Sequence, residues 1–238
     1  MAEWFEDWFG EEYLDLYPHR DEQDAERLIG LLRRTLPWRD GWRVLDVACG
    51  PGRHMTALER AGARVFGFDL SRVLLNRART LTSRPLVRAD MRLLPFRARS
   101  MDLTVNLFTS FGYFATDPEH VAAMGEMLGT VRPGGWFVLD FLNAAAVRAG
   151  LVAHEVQQLG GAIVEVRRDI IDDGRFVRKT MRLADGRQFE ERVRLFSFGE
   201  MRAMIEQHGA RVTTGFGDYD GAPVGDGPRA ILLAQVAL

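Results

Sequence analysis

The chain has 238 residues, of which 47% are hydrophobic and 27% are charged, and its formal net charge at pH 7 is −2. This composition predicts a globular chain with a full core and excludes a disordered chain or a small disulfide-stapled one. A single cysteine, no leader pattern and no apolar run of ~20 residues predict a cytoplasmic protein without a membrane span. Acidic and basic residues alternate along the chain, so no basic face for nucleic acid is expected.

Aromatic residues are concentrated at the start of the chain. The first four of them have helical spacing, and residues 21–36 predict a longer amphipathic helix that ends before a proline. We interpret residues 1–36 as a helical cover, or lid, on the remainder of the protein.

Strand and helix patterns alternate between residues 37 and 150, which predicts a parallel sheet covered on both faces. The predicted strands are 44–47, 64–68, 86–88, 101–108 and 136–141. The predicted helices are 54–60, 72–81 and 118–131, with Ser71 and Asp117 as N-caps of the second and third. Residues 132–135 are predicted to form a turn.

The pattern changes to antiparallel strands after residue 150. Stretches 162–171, 175–183 and 187–196 are separated by Asp-Asp-Gly and Ala-Asp-Gly, which are hairpin signals. We therefore expect an inserted antiparallel meander over residues 151–196. Residues 197–238, with one capped helix and two strands, are expected to complete the core of a single domain that spans 1–238.

The run VLDVACGPGRH at 44–54 has the order strand, glycine turn, helix, which lets backbone approach a ligand closely. A dinucleotide fingerprint needs a third glycine, and that position is Met55. A GxxxxGK[ST] phosphate loop is also absent from the sequence. The loop therefore favours a nucleoside ligand without a pyrophosphate and disfavours an NAD-dependent oxidoreductase.

Three aspartates follow or lie within the predicted strands of this region. Asp46 lies inside the first strand, where a carboxylate is costly without a partner. Asp69 directly follows the second strand, and a carboxylate there can accept hydrogen bonds from both hydroxyls of a ribose. Asp90 follows the third strand, where an adenine would need a polar group.

Five blocks in this order resemble the class I S-adenosylmethionine-dependent methyltransferases over residues 44–143. These blocks are VLDVACGPGRH, VFGFDLS, RADMRLLPF, MDLTVNLFTSFGYF and LGTVRPGGWFVLDF. The resemblance implies an α/β fold: a seven-stranded, mostly parallel, Rossmann-like sheet with helices on both faces and an antiparallel last strand. The predicted meander would be an insert after the fifth strand. FTSFGYF and the meander resemble bacterial small-molecule enzymes such as amino-sugar N-methyltransferases.

The resemblance, with the placement of the lid, gives a set of expected contacts for S-adenosylmethionine. These are Tyr13, Arg20, Asp46, Ala48, Cys49, Gly50, Gly52, His54, Asp69, Leu70, Asp90, Met91, Asn106, Leu107 and Phe108. The expected substrate contacts are Tyr17, Phe111, Tyr113, Phe114 and Asn143. The rings at 111, 113 and 114 could also attract the cationic methylsulfonium of the cofactor. The candidates for a general base are His154 and Tyr113. No histidine pair has metal-ligand spacing, so no metal is expected.

The expected function is methyl transfer from S-adenosylmethionine to a nitrogen or oxygen of a small molecule by a monomer or homodimer. Two alternatives remain open at this point. One is a methyltransferase that acts on a protein, a peptide or RNA, and the other is a non-catalytic module that only binds S-adenosylmethionine. The sequence does not specify the acceptor.

Overall fold

Seven strands form one mixed sheet at the centre of the molecule, in the order β10-β11-β5-β4-β1-β2-β3. The computed structural model describes residues 3–17 and 22–238. The strands are β1 (Arg43–Val47), β2 (Arg64–Asp69), β3 (Leu86–Arg88), β4 (Met101–Asn106), β5 (Val131–Leu142), β10 (Ala210–Phe216) and β11 (Arg229–Val236). Only β11 runs antiparallel to its neighbours β5 and β10. The expected α/β fold with an antiparallel last strand is confirmed.

Helices cover both faces of this sheet. They are α3 (Glu22–Thr35), α4 (Arg53–Arg60), α5 (Arg72–Ala78), α6 (Asp117–Thr130), α7 (Ala144–Ala149) and α8 (Phe198–Glu206). Successive side chains of β5 enter two different cores: Phe137 and Leu139 pack in one, and Val138 packs in the other. This two-sided burial explains why the strands read as nearly continuous apolar runs.

Two local predictions need correction, and one helix was missed. The N-cap of α6 is Thr116, not Asp117, because Thr116 forms a reciprocal capping box with Glu119. Residues 132–135 belong to the long strand β5, which has a register shift beside β4 instead of a turn. Helix α7 was not predicted; its Asn143 N-cap accepts hydrogen bonds from the N–H groups of Ala145 and Ala146.

The insert is a separate antiparallel sheet in the order β6-β7-β8-β9. Its strands are β6 (His154–Leu159), β7 (Ala162–Ile171), β8 (Phe176–Leu183) and β9 (Gln188–Arg194). The sequence predicted three strands here, and the structure has four. Strand β6 was missed because it buries little apolar surface. Val156 is 64% exposed, and the strand is held by its backbone hydrogen bonds to β7.

Two short N-terminal helices, α1 (Trp4–Trp8) and α2 (Glu11–Leu16), pack on one face of the insert. Trp8 and Leu16 are buried there against the apolar side chains of β7 and β8. The backbone of α2 lies so close to the β6–β7 turn that a Cβ on Gly160 would overlap the carbonyl oxygen of Asp15. The lid and the insert therefore share one core.

No helix in the described ranges 3–17 and 22–238 is long and apolar enough to cross a membrane.

Candidate active site

A cavity of about 720 Å³ opens beyond the carboxyl ends of β1, β2 and β4, the edge where open α/β sheets bind ligands. Its walls come from the glycine loop after β1, from the residues after β2, β3 and β4, and from the N-terminal helices. The predicted residues that line it are Tyr13, Tyr17, Ala48, Cys49, Gly50, His54, Asp69, Leu70, Asp90, Met91, Leu107, Phe108, Tyr113 and Phe114.

The glycine loop between β1 and α4 presents its backbone to the cavity. Ala48 and Gly50 both have a φ of 55°, in the left-handed region. A Cβ on Gly50 would meet nothing within 4 Å, so the backbone there borders open space. Gly52 lies behind this surface as the N-cap of α4, and a Cβ on it would lie 3.1 Å from the Cβ of Ala78.

Met55 stands where a dinucleotide fingerprint would have its third glycine. Met55 is fully buried, and a Cβ on Gly67 of β2 would lie 2.5 Å from its Sδ. The close contact between helix and strand is therefore made with the small residue on the strand. This permits the glycine loop without a dinucleotide fingerprint.

Asp69 ties the glycine loop to the end of β2. The Gly50 N–H donates to its Oδ2 and the Ser71 N–H donates to its Oδ1, each at 2.8 Å. Burial raises the pKa of Asp69 to about 6, although these N–H groups act in the opposite direction. A carboxylate with about four acceptor positions has room for further donors from a ligand.

Asp46 is the most perturbed acid of the site. Its side chain is 1% exposed, and its Oδ2 has no hydrogen-bond partner within the described part of the chain. Burial and the nearby charge of Asp69 raise the pKa of Asp46 to about 8, while Arg53 opposes the shift. An orphaned buried acceptor directly beneath a ligand-facing loop fits a site that is completed by a bound donor or cation.

Asp90 reaches the cavity, but its carboxylate is already engaged. Arg92 donates to it at 2.6 Å, and the same guanidinium pairs with Glu3 and Glu119. Burial alone would raise the pKa of Asp90, but hydrogen bonds from Arg92 outweigh it and lower that pKa. The network joins the end of β3 to the lid beside Met91.

The segment after β4 is held by a buried aspartate that the sequence analysis missed. Phe108 and Thr109 have φ values of 55° and 62°, a costly conformation for side chains of this size. The N–H of Phe108 donates to Oδ2 of Asp140 at 2.9 Å. Asp140 is fully buried at the end of β5 and also accepts from Tyr219 and Arg229. A lone acid in the apolar run WFVLDF is the signal that could have identified it.

The other side of Phe108 faces the start of α4. The Arg53 guanidinium lies 4.0 Å from the centre of the Phe108 ring, within cation–π range. Burial, followed by the charges of Arg53 and Arg229, lowers the pKa of the neighbouring His54. This end of the cavity therefore combines a cation with a neutral imidazole at pH 7.

Aromatic rings form the wall opposite the sheet edge. Phe5 and Phe9 of the lid and Tyr113 and Phe114 of the FTSFGYF segment all line the cavity. Their rings interlock, with centroids 5.7 Å apart for Phe9 and Tyr113 and 6.1 Å apart for Phe5 and Phe114. Tyr13 continues this wall, since its ring lies 5.0 Å from Phe9.

Six predicted site residues in the described part of the chain do not line the cavity: Asp46 and Gly52, which lie behind the glycine loop, and the four that follow. Phe111 is fully buried among core aromatics, and Asn106 is buried and donates to the carbonyl of Val47. Asn143 caps α7 and donates to Gly227, so its side chain is used structurally. His154 is exposed on the insert, where it pairs with Glu165, so it is poorly placed as a base. Arg20 lies outside the described residues.

Comparisons with known proteins agree with this geometry. Residues 44–135 match a family model described as a methyltransferase domain. Over 173 residues the chain is 31% identical to dTDP-3-amino-3,4,6-trideoxy-alpha-D-glucopyranose N,N-dimethyltransferase of Streptomyces venezuelae, a match that covers 65% of this chain and 71% of that protein.

Two solved structures extend the likeness to nearly the whole chain. The crystal structure of Streptomyces venezuelae DesVI is 26% identical, with a TM-score of 0.71 and coverage of 95% of this chain and 96% of that one. The CcbJ methyltransferase from Streptomyces caelestis has a TM-score of 0.81 at 16% identity, over 97% of this chain and 98% of the other. The second likeness shows a shared fold that includes the region of the insert.

Proposed function

Because this chain belongs to the S-adenosylmethionine-dependent methyltransferases, we propose that it methylates a nitrogen or oxygen of a small molecule. The observation that carries the proposal is the interlocked aromatic wall of the cavity. The lid and the FTSFGYF segment interlock over a space of about 720 Å³, within the ~300–1,000 Å³ typical of small-molecule sites. A site walled in this way suits a compact acceptor better than a folded protein or an RNA.

The sheet edge is the proposed cofactor side of the cavity. S-adenosylmethionine supplies, when bound, a methyl carbon on a cationic sulfur that a nucleophile can displace. Asp69 would accept hydrogen bonds from the ribose hydroxyls, and the backbone from Ala48 to Gly50 would contact the methionine end. Asp90 and Met91 would border the adenine. A cationic ligand would favour the ionised form of Asp46, which would then add negative charge beneath it.

The aromatic wall is the proposed acceptor side. Tyr113, Phe114 and Tyr17 would surround the acceptor and exclude water, which lets the protein align the nucleophile with the methyl group. Tyr113 is the remaining candidate for a base, because His154 does not line the cavity. The relative from Streptomyces venezuelae is named an N,N-dimethyltransferase of an amino sugar, which supports an amine as the first acceptor to test.

Calorimetry with S-adenosylmethionine tests the cofactor side. We expect binding by the wild type and a ~10–100-fold weaker affinity in Asp69→Ala, which loses charge-assisted hydrogen bonds. Asp102→Ala is the matched control, because Asp102 lies at the other end of β4 and pairs with Arg132. No heat with the wild type, or equal affinity in both variants, would refute the proposed site.

A turnover assay tests the acceptor class. The enzyme is incubated with S-adenosylmethionine and a panel of amino sugars, other amines, phenols, peptides and RNA, and S-adenosylhomocysteine is measured. Methylation of a small amine or hydroxyl compound is the expected result. Methylation of the peptide or RNA members alone would overturn the proposal, and so would cofactor binding without methylation of any small member.

A further inference from the structure

Two residues beside the cavity each join an expected cofactor aspartate to the lid. They stand at the same place in their loops, since Ser71 comes two residues after Asp69 and Arg92 comes two residues after Asp90. The backbone N–H of each donates to Oδ1 of its aspartate, at 2.8 Å in both loops. The side chain of each also reaches the lid.

The Ser71 hydroxyl holds the lid next to Asp69. It donates a 2.5 Å hydrogen bond to the backbone carbonyl of Phe9, and it accepts from the N–H of Leu74 as the N-cap of α5. Phe9 lines the cavity, and its ring centroid lies 5.7 Å from that of Tyr113. The loop that carries Asp69 therefore fixes one ring of the aromatic wall.

Arg92 holds the lid at the other loop. Its Nη2 donates at 2.6 Å both to Oδ2 of Asp90 and to Oε2 of Glu3, which directly precedes α1. Its Nη1 is shared in the same way between Glu3 and Glu119, at 3.2 Å each. The guanidinium also lies 4.9 Å from the centre of the Phe114 ring, which lines the cavity.

The sharing of these donors couples the cofactor side of the cavity to the lid. One cation faces three carboxylates, and because its Nη2 serves two of them, Asp90 and Glu3 compete for that nitrogen. Each of these side chains is at most 34% exposed, so water screens the ion pairs only in part. An N–H of the cofactor that donates to Asp90 would satisfy this carboxylate and leave Nη2 to Glu3. Because charge-assisted hydrogen bonds are about twice as strong as neutral ones, a bound cofactor would strengthen the hold on the lid.

Local structure alone does not explain these contacts. A helix N-cap uses only the acceptor oxygen of Ser71, and an aspartate would serve equally well there. The outer side of the lid is already docked on the insert through buried Trp8 and Leu16. The hydrogen bonds to Phe9 and Glu3 instead tie the inner side of the lid to the two loops of the cofactor aspartates.

We propose that Ser71 and Arg92 are positioning residues that transmit binding of the cofactor to the lid, so that the acceptor binds more tightly to the cofactor-loaded protein. This inference rests on the proposed function, in which Asp69 and Asp90 contact the cofactor. It places cofactor binding before acceptor binding. By reciprocity, a bound acceptor must tighten cofactor binding by the same factor.

The first test uses S-adenosylhomocysteine, the demethylated cofactor, and needs no acceptor. At saturating probe, we expect hydrogen exchange of the amides of residues 4–16 to slow about 10-fold in the wild type and less than about threefold in Glu3→Gln, which removes only a charge. Glu12→Gln is the matched control, because Glu12 lies on the same lid but pairs with Arg187 of the insert at 3.5 Å. It should behave as the wild type does.

Two outcomes of this test are distinct. Failure of the probe to bind would remove the proposed function and this inference with it. Binding without slower exchange of the lid, or equal slowing in Glu3→Gln and Glu12→Gln, would overturn this inference alone.

A serine series tests the other junction with the same exchange measurement. Ser71→Ala should reduce the probe-dependent slowing at least about threefold, whereas Ser71→Thr, which keeps the hydroxyl, should stay within about twofold of the wild type. Ser197→Ala controls for the lost cap, because Ser197 caps α8 in the same way. Slowing in Ser71→Ala equal to that in Ser197→Ala would overturn the role of Ser71. If Ser71→Ala does not fold, Glu3→Gln carries the test of the inference.

The last test measures the coupling directly, with an acceptor from the turnover panel. Calorimetry should show that the wild type binds this acceptor about 10-fold more tightly with S-adenosylhomocysteine than without it, and Glu3→Gln should reduce this ratio to about threefold or less. In turnover, the KM for the acceptor should rise about threefold or more in Glu3→Gln, with kcat within about twofold. Equal acceptor affinity with and without the probe in the wild type would overturn the inference while leaving the proposed methyl transfer intact.

Discussion

Replacing Asp140 with asparagine should destabilise the protein and loosen the cavity together. Asp140 is fully buried and pairs with Arg229 at 2.8 Å, and the Arg229 side chain is only 16% exposed. Asparagine keeps the size of the side chain but removes the charge, so the arginine stays buried without its counterion. Removing one partner of such a pair costs ~3–5 kcal/mol, which is a large part of the ~5–15 kcal/mol by which a native protein is typically more stable than its unfolded chain.

Urea unfolding followed by circular dichroism measures this loss. We expect the free energy of unfolding of Asp140→Asn to fall by about 3 kcal/mol with an unchanged m-value. Asp102→Asn is the control, since its partner Arg132 is 41% exposed and such pairs contribute ~0–1 kcal/mol. A loss below about 1 kcal/mol in Asp140→Asn, or one no larger than in the control, would refute the reasoning.

The same variant also tests the link to the cavity. The N–H of Phe108 donates to Asp140 while Phe108 and Thr109 are held at positive φ. Without the charged acceptor this segment can relax, so we expect the Kd for S-adenosylmethionine to rise about 10-fold in calorimetry. Lower stability with unchanged cofactor affinity would show that another contact holds the segment.

Three further predictions concern the acid, the turn and the thiol described above. Burial and Asp69 raise the pKa of Asp46 to about 8 in the folded state, so between about pH 4 and 8 the native protein binds more protons than the unfolded chain and its stability falls as pH rises. Asp46→Asn should make the free energy of unfolding depend less steeply on pH, by up to ~1.4 kcal/mol per pH unit. Equal slopes for both proteins in urea titrations at several pH values would contradict this. Gly160→Ala should lower the melting temperature by several degrees more than Gly161→Ala. Both residues have positive φ, but only the new Cβ at 160 would collide with the backbone of Asp15. Equal shifts in melting temperature would count against this contact. Burial, then Asp46 and Asp69, raises the pKa of Cys49, so iodoacetamide should label it at least ~100-fold faster in urea than in buffer, and comparable rates would disprove its inertness.

Much of the central sheet could be predicted because its signals are local. The apolar runs of β1 and β4, the glycine turn and the N-cap Ser71 are each set by neighbouring residues, and the structure confirms them. Asp69 was predicted in the same way, from its position directly after a strand, and it lines the cavity.

The missed features depend on contacts between distant parts of the chain. Strand β6 has little apolar patterning of its own and exists because β7 supplies a complete partner. Asp140 is paired with Arg229, which is 89 residues away, and Lys179 donates a hydrogen bond to Tyr17, which is 162 residues away. Sequence spacing cannot show such pairings, although an acid inside an apolar strand indicates that some partner is required.

The shared core of the lid and the insert has a consequence for synthesis of the protein. Trp8 is synthesised 183 residues before its hydrogen-bond partner Glu191. At ~5–20 residues per second, the aromatic first helices wait on the order of 10–40 s on the ribosome before their docking surface is complete. During that interval they are an exposed apolar segment, a natural ligand for chaperones, and the nascent chain cannot close its cavity until strand β9 has been translated.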